Sequence, residues 1–191
     1  MPTSTELVLR GLFRHPLAAE SAPMTRDALR ARVYAAEQQV TAALSRPGQT
    51  IDFFGSRLTP PLEQRFTTLE QVRRFVAVVL NDHRVTSAWG FLPAVLVRSR
   101  SGESMAHYEY ETATIAMPVG SEWAMRELVV LHEIAHHIVV AGIDAELAPH
   151  GVEFASTYVT LVSWFIGPEA ALLLTAAFDA SGVSINATVR Q

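Results

Sequence analysis

The chain has 191 residues, 49% of them hydrophobic and 18% charged, a composition that suits one folded domain with or without an extension and argues against disordered, collagen-like and coiled-coil proteins. All 15 basic residues are arginine and cysteine is absent, which excludes P-loop nucleotidases, Schiff-base lysine enzymes, disulfide frameworks and iron–sulfur proteins. The net charge of −4 favours no nucleic-acid partner, and any metal must be held by His, Asp or Glu.

The first half of the chain predicts two helices and a short strand. Residues 1–23 carry weak signals and are expected to form an arm or a short helix, without a secretory signal, so the cytoplasm is the expected compartment. The predicted elements are, in chain order, a helix capped by Thr25 and reaching Ser45, a strand over 51–54, and a helix over 69–81 preceded by Thr68.

The second half predicts a small sheet followed by three helices. The most apolar stretch, 158–178, is interrupted by Gly167 and Pro168, so we expect two buried helices there and no membrane span. The predicted elements are strands over 94–97 and 107–117, forming a hairpin or lying side by side in a sheet, a long helix capped by Ser121 and reaching about Ala141, and helices over 152–166 and 168–180.

The long helix contains the pattern H-E-x-x-H at His132, Glu133 and His136. Residues four apart lie on one face of a helix, so the two imidazoles can converge on one metal ion. Glu133 is rotated about the helix axis, so that its carboxylate reaches a water activated by the metal rather than the metal itself. The sequence therefore predicts a catalytic zinc site with Glu133 as general base.

Two other interpretations of the same residues remain open. The histidines could be ordinary core or surface residues of a buried helix, although such a concentration of buried polar groups needs partners. Glu133 and His137 are also four residues apart and could form a different metal pair. We expect His137 instead to lie behind the metal ligands or to pack against the sheet.

A catalytic zinc ion takes three protein ligands as a rule, so one more residue is required. His150 is the preferred third ligand because Gly151, at a predicted loop-to-helix junction, allows the chain to turn toward the metal. Glu153 is the fallback. The candidates downstream of the helix are Asp144, Glu146, His150 and Glu153.

The segments His132–His136 and His150–Phe154 resemble the SprT-like and Spartan-type metalloproteases, in which H-E-x-x-H is followed by an H-G-x-E-F block. This resemblance implies a zincin-type domain with zinc held by His132, His136 and His150 and with Glu133 as general base. About two thirds of the chain, from Thr68 onward, also resembles an uncharacterised actinobacterial family of metallohydrolases. Because this chain lacks cysteine and is acidic, a role in DNA–protein crosslink repair is not implied.

The strand expected from Tyr108 to Met117 could bind an extended peptide by β-augmentation, although an ordinary core strand is an equal alternative. Tyr108 and Tyr110 could each offer a phenol to an oxyanion, but no spacing rule selects either residue.

Together these features predict an α+β, zincin-like fold: a helical N-terminal region over 1–66 and a metallohydrolase domain over 67–191 with a small mixed or antiparallel sheet, the active-site helix and two C-terminal helices. The predicted function is zinc-dependent hydrolysis of peptide bonds in a peptide or protein substrate. Hydrolysis of a non-peptide bond, and a non-catalytic binding domain in which zinc is a structural staple, are the alternatives. The sequence leaves open the substrate, the oligomeric state and whether residues 1–66 cover the cleft.

Overall fold

The protein is described by a computed structural model that covers residues 27–46, 48–53, 56–102 and 105–186. Those residues form an α+β fold with six α-helices and two small sheets. The predicted cap Thr25, the arm over 1–23 and Phe54 lie outside the described residues. The elements are α1 (Arg30–Leu44), β1 (Ile51–Phe53), β2 (Ser56–Leu58), α2 (Leu69–Leu80), α3 (His83–Trp89), β3 (Leu96–Ser99), β4 (His107–Glu109), β5 (Thr114–Met117), α4 (Glu127–Ile138), α5 (Val152–Phe165) and α6 (Pro168–Ala180).

The predicted first helix is confirmed as α1, although it begins at Arg30, with Leu29 as its N-cap, rather than after Thr25. The helix buries one apolar face. Val33, Val40 and Leu44 recur at helical spacing on that face, and all three are buried. The helix packs against α6 near the other end of the chain. This contact joins the two predicted regions, whose boundary at residue 66 stays a prediction.

The predicted strand after α1 is confirmed as β1, and it is half of a hairpin. Its partner β2, which the sequence did not indicate, pairs with it antiparallel, with Ile51 opposite Leu58.

The predicted helix over 69–81 is confirmed as α2, and its start is fixed by a capping box. The side chain of Thr68 accepts a hydrogen bond from the backbone N–H of Gln71, whose side chain in turn accepts from the backbone of Thr68. The short helix α3 that follows was not predicted. Asp82 caps it by accepting a hydrogen bond from the backbone N–H of Arg84.

The three-stranded sheet confirms that the segments 94–97 and 107–117 are neighbours in a sheet, but they do not form a hairpin with each other. The stretch 107–117, predicted as one strand, is two strands, because a turn after β4 leads through Ala113 at a φ of 46°. The hairpin is therefore β4 with β5, whereas β3 pairs parallel to β5 with Val97 opposite Ile115. The strand order β3-β5-β4 makes the sheet mixed and places β4 at an edge.

The long helix predicted after Ser121 begins later, at Glu127. Ser121 instead begins a turn, in which its carbonyl accepts hydrogen bonds from the N–H groups of Ala124 and Met125. From Glu127 onward every residue of α4 is buried, as expected for a helix that is surrounded by other elements. A π-helical segment, Val139–Ile143, extends the helix.

The two predicted C-terminal helices are confirmed as α5 and α6. Gly167 separates them with a φ of 142°, a conformation that favours glycine, and Pro168 occupies the first turn of α6. α5 packs between α4 and α6. Within the described parts of the chain, no helix combines the length and hydrophobicity needed to cross a membrane.

Candidate metal centre

Three histidines from two elements meet in the interior. His132 and His136 lie one turn apart on α4. His150 lies next to Gly151, the N-cap residue of α5. One nitrogen from each ring lies within 4.8 Å of the others, and all three side chains are buried. The chain thus places the three predicted ligands in a position to hold a metal ion.

The Nε2 atoms are the atoms that converge. His132 Nε2 lies 3.1 Å from His136 Nε2 and 3.3 Å from His150 Nε2. These separations are close to those expected for nitrogens that share one zinc ion at about 2.0 to 2.1 Å from each.

The Nδ1 atoms of the same rings face outward and each has a hydrogen-bond partner. His132 Nδ1 lies 2.8 Å from Glu37 Oε1, and His150 Nδ1 lies 2.7 Å from Asp27 Oδ2. His136 Nδ1 lies 3.1 Å from the hydroxyl of Tyr110. Because a carboxylate oxygen accepts hydrogen bonds, these contacts suit the tautomers of His132 and His150 that carry a proton on Nδ1.

That assignment makes the Nε2 atoms suited to a cation. With Nδ1 protonated in a neutral imidazole, Nε2 offers a lone pair, and lone pairs brought within 3.3 Å of one another repel unless a proton or a metal ion lies between them. Neutral imidazole nitrogens backed by carboxylates are the donor set that zinc uses in proteins. The residues present therefore fit a zinc ion.

Burial and charge set the protonation of the three rings. Burial lowers the pKa of His136 well below its ordinary value, and the neighbouring His132 and His150 lower it further. Burial also lowers the pKa of His150, against the opposing effect of Asp27. Burial disfavours the charged form of His132 too, but Glu37, Glu133 and Asp27 together outweigh it and raise the pKa of His132.

Glu133 lies beside this cluster and is 3% exposed. Burial raises the pKa of its carboxyl group to about 7, with a further increase from Glu37, whereas His132 and the backbone N–H of Tyr108 oppose the shift. A carboxylate whose pKa lies near neutrality is suited to accept and return a proton.

Aromatic rings enclose the histidines. Tyr34 of α1 stacks on His132 at a centroid distance of 5.4 Å and an interplanar angle of 12°. Phe154 of α5 stacks on His136 at 4.4 Å and 28°. Burial, with the charges of Glu133 and Glu37, raises the pKa of the Tyr34 phenol to about 12.

His137 and both candidate tyrosines have other partners. His137 packs against the sheet side, where Nε2 donates to the carbonyl of Pro93 at 2.9 Å and Nδ1 lies 3.0 Å from the Tyr108 hydroxyl. Both ring nitrogens of His137 thus have partners away from the cluster, which disfavours the alternative pairing of Glu133 with His137. Tyr110 contacts His136 through its hydroxyl, as described above.

The acidic candidates for the third ligand do not join the cluster. Asp144 and Glu146 are exposed, and the Asp144 carboxylate accepts from the backbone N–H of Glu146 at 2.9 Å. Glu153 is half-buried in the first turn of α5. Within the described part of the chain, the metal-capable group consists of His132, His136 and His150.

Sequence reasoning missed the carboxylates that contact the ligands. Glu37 is 3% exposed and lies on the face of α1 that carries Val33 and Val40. A glutamate three or four residues from buried valines is itself a signal, because a charged group on an apolar face needs a partner. No comparable signal singles out Asp27, which precedes the helix.

Comparison of the chain with protein-family models, with curated proteins and with solved structures finds no match. The resemblance of the two motifs to SprT-like metalloproteases stays a prediction.

Proposed function

We propose that the protein is a zinc-dependent hydrolase that cleaves peptide bonds. The observation that carries this proposal is the convergence of three Nε2 atoms beside Glu133. The described residues offer three histidine nitrogens to the ion. Catalytic zinc sites have three protein ligands as a rule, whereas closed structural sites have four.

His132, His136 and His150 would hold the zinc, which when bound supplies Lewis-acid polarisation of the scissile carbonyl and acidifies a water molecule. Glu133 would act as the general base, accepting a proton on its carboxylate and returning it to the leaving amine. Its burial supports this role, because a carboxyl group with a pKa of about 7 exchanges protons readily at neutral pH.

The edge strand β4 supports a peptide as the substrate. β4 pairs with β5 along one side, and the backbone N–H of Tyr108 hydrogen-bonds the Glu133 carboxylate. A peptide that adds to the outer edge of β4 by backbone hydrogen bonds would therefore run past the general base.

A non-catalytic zinc staple is the second candidate, and burial of the site favours it. His132, His136 and His150 are each 5% exposed or less, and Tyr34 stacks on His132. In that case the metal would only tie the segment that carries His150 to α4. The presence of Glu133 supports the hydrolase, because a structural site has no use for a base.

Zinc content tests the metal centre. We expect one zinc per chain by elemental mass spectrometry, and loss of it in His150→Ala. His83→Ala is the matched control, because the His83 side chain is 88% exposed and lies outside the cluster. Absence of zinc from the wild type after reconstitution would overturn the proposal.

Glu133→Gln tests the chemistry. We expect the variant to keep its zinc and to lose cleavage of a peptide library by about 10² to 10⁴-fold, the usual contribution of a general base. Glu70→Gln, at an exposed position of α2, should cleave like the wild type. Zinc in the wild type without cleavage of any peptide would favour the staple or a non-peptide substrate.

A further inference from the structure

Two carboxylates from a single segment contact two of the three candidate ligands. Glu37 lies within α1, and Asp27 lies shortly before the N-cap residue Leu29. Their partners, His132 and His150, lie on α4 and at the start of α5. One N-terminal segment therefore spans the two elements that carry the metal-binding nitrogens.

The contact of Glu37 is held from two sides. Its Oε1 lies 2.8 Å from His132 Nδ1 and accepts a second hydrogen bond from the Tyr158 hydroxyl at 2.6 Å. The same hydroxyl contacts the carbonyl of Leu128 on α4 at 3.1 Å. Tyr158 thereby fixes the position of the Glu37 carboxylate relative to α4, the helix that carries His132.

The contact of Asp27 is more open. Its Oδ2 lies 2.7 Å from His150 Nδ1, and its side chain is 25% exposed. His150 precedes α5 and has no helical backbone to fix its position. The carboxylate is therefore an external restraint on the orientation of this ring.

We infer that Glu37 and Asp27 are positioning residues of the metal centre, which fix the Nδ1–H tautomers of His132 and His150 and so direct both Nε2 lone pairs at the ion. This inference rests on the proposed zinc site, but it assigns to the N-terminal segment a role that the H-E-x-x-H pattern does not contain. Carboxylates placed in this way also make an imidazole more basic and so strengthen its bond to zinc.

Variants that remove the negative charge of Glu37 or of Asp27 test this positioning role. Glu37→Gln and Asp27→Asn keep the size of the side chain and an oxygen that can accept from Nδ1, but they cancel the negative charge. We expect each variant to bind zinc about 10- to 100-fold more weakly than the wild type, the effect usual for such partners. Glu70→Gln and Asp179→Asn, at exposed positions, are the matched controls and should bind zinc like the wild type.

The measurement is competition for zinc between the full-length protein and a chelator of known affinity. Cobalt(II) substitution supplies a second readout, because the absorption bands of cobalt report the strength and geometry of its ligands. We expect the bands to shift in Glu37→Gln and Asp27→Asn, and to stay unchanged in the controls. Tyr158→Phe, which removes one hydrogen bond from Glu37, should shift them less than Glu37→Gln.

The outcomes separate this inference from the proposed function. If the wild type and controls bind zinc, and Glu37→Gln and Asp27→Asn match them in affinity and in cobalt spectrum, the positioning role is overturned while the metal centre stands. If the wild type binds no zinc, both proposals fall. Should Glu37→Gln not fold, the partly exposed Asp27→Asn carries the same test, and unchanged binding there overturns the inference.

Discussion

At the scale of single residues, Glu127 is a carboxyl group whose protonation is coupled to folding. It is 5% exposed in the first turn of α4, where its Oε2 accepts from the backbone N–H of Gln64 at 3.0 Å. Burial raises its pKa to about 7, and the charge of Glu63 contributes, whereas the Gln64 hydrogen bond opposes the shift. The folded protein therefore keeps a proton on Glu127 in a pH range where the unfolded chain has lost it.

Stability should consequently fall as the pH rises from about 4.5, the ordinary value, to about 7, because the unfolded state binds fewer protons there. We expect Glu127→Gln, which imitates the protonated form, to equal the wild type at low pH. Above this window it should be the more stable protein, with a difference that grows by up to about 1.4 kcal/mol per pH unit within the window.

Urea unfolding of both proteins at several pH values between 4.5 and 8 gives the free energy of unfolding of each. Other titrating groups, including the histidines, cancel in the difference between the two proteins. A difference that stays constant with pH would contradict the raised pKa of Glu127.

The residues that the sequence predicted and those that it missed differ in how far along the chain their partners lie. His132 and His136 could be paired from the sequence because helix geometry fixes their relation locally. Glu37 and Asp27 meet their histidines across 95 and 123 residues, and such contacts are decided by how the helices pack. Of these two carboxylates, only Glu37 has a sequence signal, because a charged group on an apolar helix face needs a partner.

At the scale of elements, the start of α4 is held by a segment from elsewhere in the chain. Arg126 is the N-cap residue of α4, but its side chain forms no capping hydrogen bond. Instead, the Glu63 carboxylate accepts from the backbone N–H of Leu128 at 2.9 Å and forms a buried ion pair with Arg126. The backbone of Gln64 accepts from the N–H of Glu127 at 3.0 Å. The chain before α2 thus satisfies two of the free N–H groups that begin the helix carrying His132 and His136.

Removal of the negative charge of Glu63 should lower the free energy of unfolding. Glu63→Gln leaves the Arg126 guanidinium, 2% exposed, without an anionic partner, and a broken buried pair destabilises by about 3 to 5 kcal/mol. Glu109→Gln is the matched control, because it breaks the exposed pair with Arg98 and should cost less than about 1 kcal/mol. Denaturant unfolding measures both changes, and equal costs would refute the special role of the buried pair.

The elements that the sequence predicted best have a local signal at each boundary. α2 begins at a capping box, and α6 begins at Pro168 after a glycine. The stretch 107–117 was predicted as one strand because its β-branched and aromatic residues are typical of strands throughout. Its division is set by the turn at Ala113, a residue with no preference for a positive φ. The parallel pairing of β3 with β5 is non-local and has no signature in either strand.

At the scale of the whole molecule, the metal centre lies where separate parts of the chain meet. α4 and the start of α5 supply the candidate ligands, and α1 supplies Glu37 and Tyr34. α1 is also packed against α6, which is packed against α5. A bound ion would therefore join the N-terminal helix to the C-terminal pair through side chains as well as through the apolar core.

This arrangement predicts that metal binding stabilises the entire fold, including α1. A zinc concentration 100-fold above Kd adds about 2.7 kcal/mol to the free energy of unfolding. For a chain of this length that corresponds to a rise in Tm of roughly 5 to 10 °C. His83→Ala should show the same rise on addition of zinc, and His150→Ala should show little or none.

Amide hydrogen exchange locates the effect within the fold. We expect zinc to slow exchange in α1 together with α4 and the start of α5, because Glu37 and Asp27 tie α1 to two of the ligands. The hairpin of β1 and β2 supplies none of the candidate ligands in the described part of the chain, so exchange there should change less. Protection of α4 and α5 with α1 unaffected would mean that the N-terminal helix opens independently of the metal centre, and that its carboxylates do not hold the ligands.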